Sequence, residues 1–303
     1  MKIPKNISGN LYADLKYIKQ CFFNSNRYKL TRRIVGYLQS EDCLIPATDK
    51  QLLLKCFSKT LANPIGYPYI REYLYKRINV SWDSTNSLYF VYHNKKKLYF
   101  RKGLTKTEVR NIYNELCIEQ DMRSPHSYFA FPIEYQHTDI AVDIGAAEGI
   151  WALDIVEKVE KIYLFECEKD WIEALQATFE PWSEKVCIVN KYVTDYNDEN
   201  NTTLDDFFAK IKIFPTIIKV DIEGAEAACM KGASVLLNQY IHHALLCTYH
   251  NYDDHEILKE MMKNHHFKIQ SSNGYMTFYY QDPNYSCKDV SRIFRKGLIY
   301  ACK

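Results

Sequence analysis

The stretch AVDIGAAEGIWALDIVEKVEKIYLFE, residues 141–166, constrains the fold more than any other part of the chain. It opens as a short apolar run, breaks at Gly145 and Gly149, continues with apolar residues at helical spacing, and returns to an apolar run ending at Glu166. A strand, a glycine turn, a helix and a second strand make a βαβ unit, with parallel strands and a right-handed crossover. Similar runs follow at KVCIVN (185–190), TIIKVD (216–221) and HALLCTYH (243–250), with helical segments such as WIEALQATF between most of them. Strands covered on both faces read as such near-continuous apolar runs, so the chain from residue 139 predicts a doubly wound, Rossmann-like α/β domain.

In sheets of this kind ligands sit at the carboxyl ends of the strands, and the first βα turn is the usual contact. Gly145 permits the turn, and Gly149 lets the helix begin close to strand and ligand. Glu166, one strand later, is placed to accept both hydroxyls of a ribose, which predicts a nucleoside ligand. A dinucleotide turn reads G-x-G-x-x-G, whereas this one reads D-I-G-A-A-E-G. Ala147 stands where a middle glycine would let a pyrophosphate approach, and Glu148 would repel one. S-adenosylmethionine, with an adenosine, a sulfonium and no phosphate, suits the turn better, and Asp143, Gly145, Ala146, Ala147 and Gly149 are its expected contacts. A plain tight turn would use the same glycines.

IIKVDIEGAE puts Asp221 at the tip of a later strand, with Glu223 two residues on and Gly224 opening the next helix. Carboxylates there face the place where the reactive end of a cofactor meets its substrate, although an Asp before a helix also serves as a cap. CTYHN brings His250 to the end of the following strand, where an imidazole can take a proton near neutral pH. Asp221 is thus expected at the cofactor and, with Glu223 and His250, at the reacting atoms. Two acids at i and i+2 are thin support for a cation, and no metal is assigned.

VDIGAAEG, YLFE, TLDDFF, IKVDIEGAE, KGASVLL and YHNYDD, in this order, resemble the FkbM-type S-adenosylmethionine-dependent methyltransferases over about residues 120–303. The resemblance implies a class I methyltransferase fold, a mostly parallel seven-stranded sheet, and O-methylation of a hydroxyl, often on a sugar or natural-product scaffold. EQDMRSPHSY and FRKGLIYACK look like a subgroup of the same family. The usual turn has Asn where this chain has Ala147, and the usual Pro after the strand-end Glu is Cys167. A nicotinamide-dependent oxidoreductase on the same sheet, and a non-catalytic cofactor-binding module, are the alternatives.

Upstream, residues 1–85 read as a mainly helical accessory region. Residues 86–138 read as a hairpin turning at Asn94 and Lys95, then a helix starting at Thr105 with Glu108 in its first turn, leading into a methyltransferase domain at 139–303. Residues 1–135 hold 22 Lys plus Arg against 11 Asp plus Glu, and the remainder 17 against 26. This split reads most plainly as a solvated face, and otherwise suggests docking of a basic on an acidic half or steering of an anionic acceptor, with His126 and Tyr128 on the acceptor side. No single-sign arm of the kind that binds nucleic acid occurs, so the expected partner is a small molecule or glycan. The 10 cysteines form no C-x-x-C pair and read as reduced, mostly buried residues. The sequence opens without a signal-like apolar stretch and holds no run long enough for a membrane span, so the expected address is cytoplasmic.

Overall fold

The computed structural model describes residues 25–74, 76–279 and 289–303. The first residues, and Cys21 and Cys287, lie outside them. The described chain begins with helices α1 (Ser25–Gln39), α2 (Ala47–Phe57) and α3 (Ile70–Tyr73), strands β1 (Ser81–Asp83), β2 (Leu88–His93) and β3 (Lys96–Tyr99), and helix α4 (Lys106–Glu119). Alternation then sets in with β4 (Ile140–Ile144), α5 (Ile150–Ile155), β5 (Lys161–Phe165), α6 (Lys169–Phe179) and β6 (Val186–Val189). Two short strands, β7 (Tyr192–Val193) and β8 (Asn201–Thr202), precede α7 (Leu204–Ile211), β9 (Ile217–Val220), α8 (Glu226–Lys231), α9 (Ser234–Gln239) and β10 (His243–Cys247). The chain closes with α10 (Asp254–Asn264), β11 (Lys268–Ser271), β12 (Met276–Thr277), β13 (Phe294–Arg295) and β14 (Leu298–Cys302).

Seven strands make the main sheet in the order β11-β14-β10-β9-β4-β5-β6. Strands β4, β5, β6, β9 and β10 run parallel, and β14 runs antiparallel to both of its neighbours. This is the doubly wound sheet read from the apolar runs, with the seven, mostly parallel strands of the class I methyltransferase fold that the family resemblance implies. Successive residues point to opposite faces, so Ala141, Leu164 and Leu245 join a core that holds Trp151, while Val142, Tyr163 and Val220 join one that holds Phe208 and Leu236. The strand order reverses at β4, which pairs with β5 on one side and β9 on the other, and a crevice opens there at the carboxyl ends.

The upstream hairpin forms as its turn chemistry requires, with Asn94 and Lys95 both at positive φ (48° and 69°), the backbone of a two-residue hairpin turn. A third strand, β1, pairs with β2 and starts before residue 85, so this small sheet straddles the 85/86 division. It packs onto α5, where His93 contacts Asp154 at 3.0 Å and Lys96 Nζ donates to the Leu153 carbonyl at 2.9 Å. Helix α4 starts in a capping box, Thr105 accepting from the Glu108 amide while Glu108 accepts from the Thr105 amide. Helices α1 and α2 share their core with the end of the chain, Leu30, Leu53 and Phe57 packing with Met276, Tyr279 and Phe294.

Candidate active site

A cavity of about 290 Å³ lies at the switch point. Its floor is the turn Gly145–Glu148 after β4, one wall is Lys219 to Glu223 at the end of β9, and the other is α4 with the segment after it. The strand ends supply the charge. Asp143 and Lys219 face each other across β4 and β9 in register, 2.8 Å apart and both buried. Burial pulls the Lys219 ammonium down, but Asp143 and Asp221 outweigh it and hold Lys219 protonated. Lys219 Nζ also donates to the Gly145 carbonyl at 2.8 Å, which ties the turn to the neighbouring strand.

The turn is tight for reasons internal to the fold. Gly145 has φ +75°, and a Cβ there would overlap the backbone carbonyl of Asp221. Gly149 has φ +77°, and its Cβ would come within 2.8 Å of the Phe179 ring. Both glycines therefore serve close packing of the protein against itself, and Gly149 does not line the cavity. Ala147 sits at φ +46° without being a glycine, a conformation costing an L-residue roughly 1–2 kcal/mol. Its amide donates to Glu166 Oε2 at 2.9 Å, and the Glu168 amide donates to Glu166 Oε1 at 2.8 Å. Glu166 is buried beside the cavity rather than in its wall, pinning the turn, and each of its oxygens keeps a second lone pair.

Asp221 is the hub. Its Oδ2 accepts from the Tyr128 hydroxyl at 2.6 Å, and its Oδ1 from the Tyr249 hydroxyl at 3.3 Å. His126 Nε2 lies 3.6 Å from Oδ2, and His250 Nε2 lies 3.5 Å from Oδ1. Burial would raise this carboxyl, but His126, Lys219 and His250 overcome it, so Asp221 is held well below the usual carboxylate range and is ionised. The sequence reading thus brings Asp143, Gly145, Ala146, Ala147, Asp221, Glu223, His126 and Tyr128 together around one cavity. His250 stands apart from that lining, only 2% exposed, behind Asp221. Its Nδ1 contacts Glu226 Oε1 at 2.7 Å; burial lowers the imidazole's pKa, yet Glu226, Asp221 and Glu223 together leave it raised.

Sequence reasoning missed Glu115, Glu119, Lys219 and Tyr249, which also line the cavity, and saw in Glu148 only a repulsion for phosphate. Glu115 and Glu119 stand one turn apart on α4, and that spacing was the signal available. Burial pushes the Glu119 and Glu148 carboxyls each up to about 7. Two trios, His126/Asp221/Cys247 and Asp221/Glu226/His250, bring ligand-type atoms within 4.8 Å of one another. Hydrogen bonds account for both: Tyr128 donates to Asp221, and His250 pairs with Glu226. Burial also keeps the Cys247 thiol protonated, and no metal is assigned.

Residues 169–276 match the methyltransferase FkbM domain. The match falls inside the segment whose motifs carry the resemblance, takes in IKVDIEGAE and His250, and starts after the 145–149 turn and Glu166. Among solved structures, the methyltransferase FkbM of Methylobacillus flagellatus is 17% identical over 65% of this chain, with a TM-score of 0.46, and this chain spans 55% of its length. A precorrin-8w decarboxylase of Methanobacterium thermoautotrophicum is 16% identical over 67% of this chain and 94% of its own, with a TM-score of 0.39. A precorrin-6y C5,15-methyltransferase of Geobacter metallireducens is 10% identical over 70% of this chain and 96% of its own, with a TM-score of 0.40. No curated protein matches the chain in sequence. Among the described residues no helix is long and apolar enough to cross a membrane.

Proposed function

We propose that this protein transfers the methyl group of S-adenosylmethionine to a hydroxyl of a sugar, glycan or related small scaffold, in the cytoplasm. One observation carries the reading: a glycine turn at the switch point forms the floor of a cavity whose other charged lining is mostly carboxyl, and whose lysine is already held by Asp143 and Gly145. Such a lining suits a cofactor with a sulfonium and an ammonium group, and it repels the pyrophosphate of a dinucleotide. Glu166 is the ribose acceptor in this reading, using the lone pairs left over from Ala147 and Glu168. Asp143 and the Gly145–Ala147 backbone flank the amino-acid end.

When bound, S-adenosylmethionine supplies an electrophilic methyl group, which an acceptor oxygen takes while the C–S electron pair stays on sulfur. The chain's own residues position that oxygen and remove its proton. Asp221, ionised and facing the cavity, receives the hydroxyl hydrogen bond, and Tyr128 and Tyr249 fix the carboxylate's orientation. His250 lies one step behind, backed by Glu226, as the more basic group to which the proton passes from Asp221. Glu223 is exposed at the mouth, where the acceptor enters, and His126 is buried in the lining on the acceptor side. Holding acceptor and methyl in line supplies much of the rate.

Incubation with methyl-labelled S-adenosylmethionine and fractionated glycans and small metabolites tests the reading. A labelled O-methyl product that disappears with Asp221→Asn supports it. Label found only on nitrogen or carbon would overturn the hydroxyl acceptor while leaving the methyl donor in place.

A further inference from the structure

We propose that Glu119 and Glu148 form a carboxyl clamp for the sulfonium end of the methyl donor, so that the protein prefers the charged donor to its neutral thioether product. This rests on the donor reading above and adds two residues from separate parts of the chain. Glu119 ends α4, which comes from upstream of the Rossmann-like sheet, and Glu148 closes the glycine turn; both face the same cavity. Among the described residues neither carboxyl makes an ion pair. Glu148 is 9% exposed, and a carboxyl that deep without a cation resists ionising.

The surroundings leave the pair short of positive charge. Glu119 is faced by Glu115 one turn earlier on α4, by Asp221 from β9 and by His126 from the following segment; the two acids raise it and His126 lowers it. Glu148 is raised first by burial and lowered by a hydrogen bond from its own backbone amide; of the charges around it, Glu119 and Glu166 from the end of β5 raise it and Lys219 from β9 lowers it. Lys219 is committed to Asp143 and the Gly145 carbonyl, and His126 stands against Asp221. A cation entering the cavity therefore gains most from Glu119 and Glu148.

Donor and product differ at this point by one charge, a sulfonium against a thioether. A sulfonium favours the ionised carboxyls, so its binding releases protons near neutral pH; the thioether leaves them as they were. Donor affinity should thus rise relative to product affinity as pH passes through about 7, where both carboxyls titrate.

Calorimetry of the full chain with S-adenosylmethionine and with S-adenosylhomocysteine, from pH 6 to pH 8, reads this directly. The ratio of the two affinities should move toward the donor by about tenfold over that range. Proton release at pH 7, read from buffers of different ionisation enthalpy, should accompany the donor alone. In Glu119→Gln and Glu148→Gln the donor should weaken about tenfold at pH 8 while the product changes less than about twofold. A flat ratio in the wild type, which needs no variant to fold, overturns the clamp and leaves the donor reading intact. Binding of neither ligand at any pH overturns both.

Discussion

At the scale of single residues, the turn after β4 holds two opposite choices. Ala147 adopts φ +46° and carries a Cβ that this conformation disfavours, whereas Gly145 at φ +75° has no space for one. Ala147→Gly should therefore stabilise the protein by about 1 kcal/mol in thermal or denaturant unfolding. An unchanged midpoint would mean that the turn relaxes without cost. Gly145→Ala should unfold the protein or lower its midpoint sharply, because the new methyl group meets the Asp221 carbonyl; a folded, stable Gly145→Ala would contradict the packing described. That outcome is a matter of folding, since the protein rather than a ligand fills the place of the Cβ. The glycines were legible in the sequence because apolar runs flank them. What fills the space beside them was not, because Asp221 lies 76 residues away and only the β4–β9 pairing brings it there.

At the scale of elements, α4 was legible as a helix, from its Thr105/Glu108 start to its apolar spacing, yet its contribution to the site was not. Its Glu115 and Glu119 face a cavity built by strands far along the chain, and helical periodicity says nothing about what a polar face will meet. The arrangement has a cost in the free protein. A carboxyl at about 7 when folded and 4.5 in an open chain leaves the unfolded state with fewer protons between those values, so stability falls as pH rises from about 4.5 to about 7 and levels off above. Glu148→Gln removes that loss. Its unfolding midpoint, without ligand, should exceed the wild type's by more at pH 8 than at pH 5, and equal differences at the two values would show that Glu148 ionises normally. His250 shows the same limit of sequence reasoning: its place after β10 was correct along the chain, but burial behind Asp221 depends on Tyr249, Phe278 and Arg295 packing around it.

At the scale of the whole molecule, the basic and acidic halves meet. Lys96 pairs with Glu157 at 3.3 Å and Arg101 with Glu168 at 3.5 Å, Lys96 also donates to the Leu153 carbonyl of α5, and Lys97 stays within the basic half, 3.6 Å from Asp83. The hairpin lysines thus face protein, and the cavity they might have served is lined with acids, so the charge split works at least partly as docking. Lys96→Gln should cost about 1 kcal/mol of stability, lessening at high salt, and leave donor affinity unchanged. A lost dependence of turnover on salt, with stability intact, would instead favour steering of an anionic acceptor. The parallel strands were visible as apolar runs, while β11, whose residues are partly exposed, and β14, a buried apolar run at 298–302, were covered only by the seven-stranded sheet that the family resemblance implies. The sharing of a core between α1, α2 and the residues Met276, Tyr279, Ile293 and Phe294 was not visible at all, because it joins segments more than 200 residues apart. Methyl transfer by this protein requires that the cavity at the switch point take S-adenosylmethionine with Glu166 on its ribose. Calorimetry of wild type and Glu166→Ala with S-adenosylmethionine and with NAD tests it most directly. The account predicts one donor site in the wild type, at least about tenfold weaker binding in the folded variant, and no binding of NAD; tight binding of NAD, or donor affinity untouched by the loss of Glu166, would contradict it.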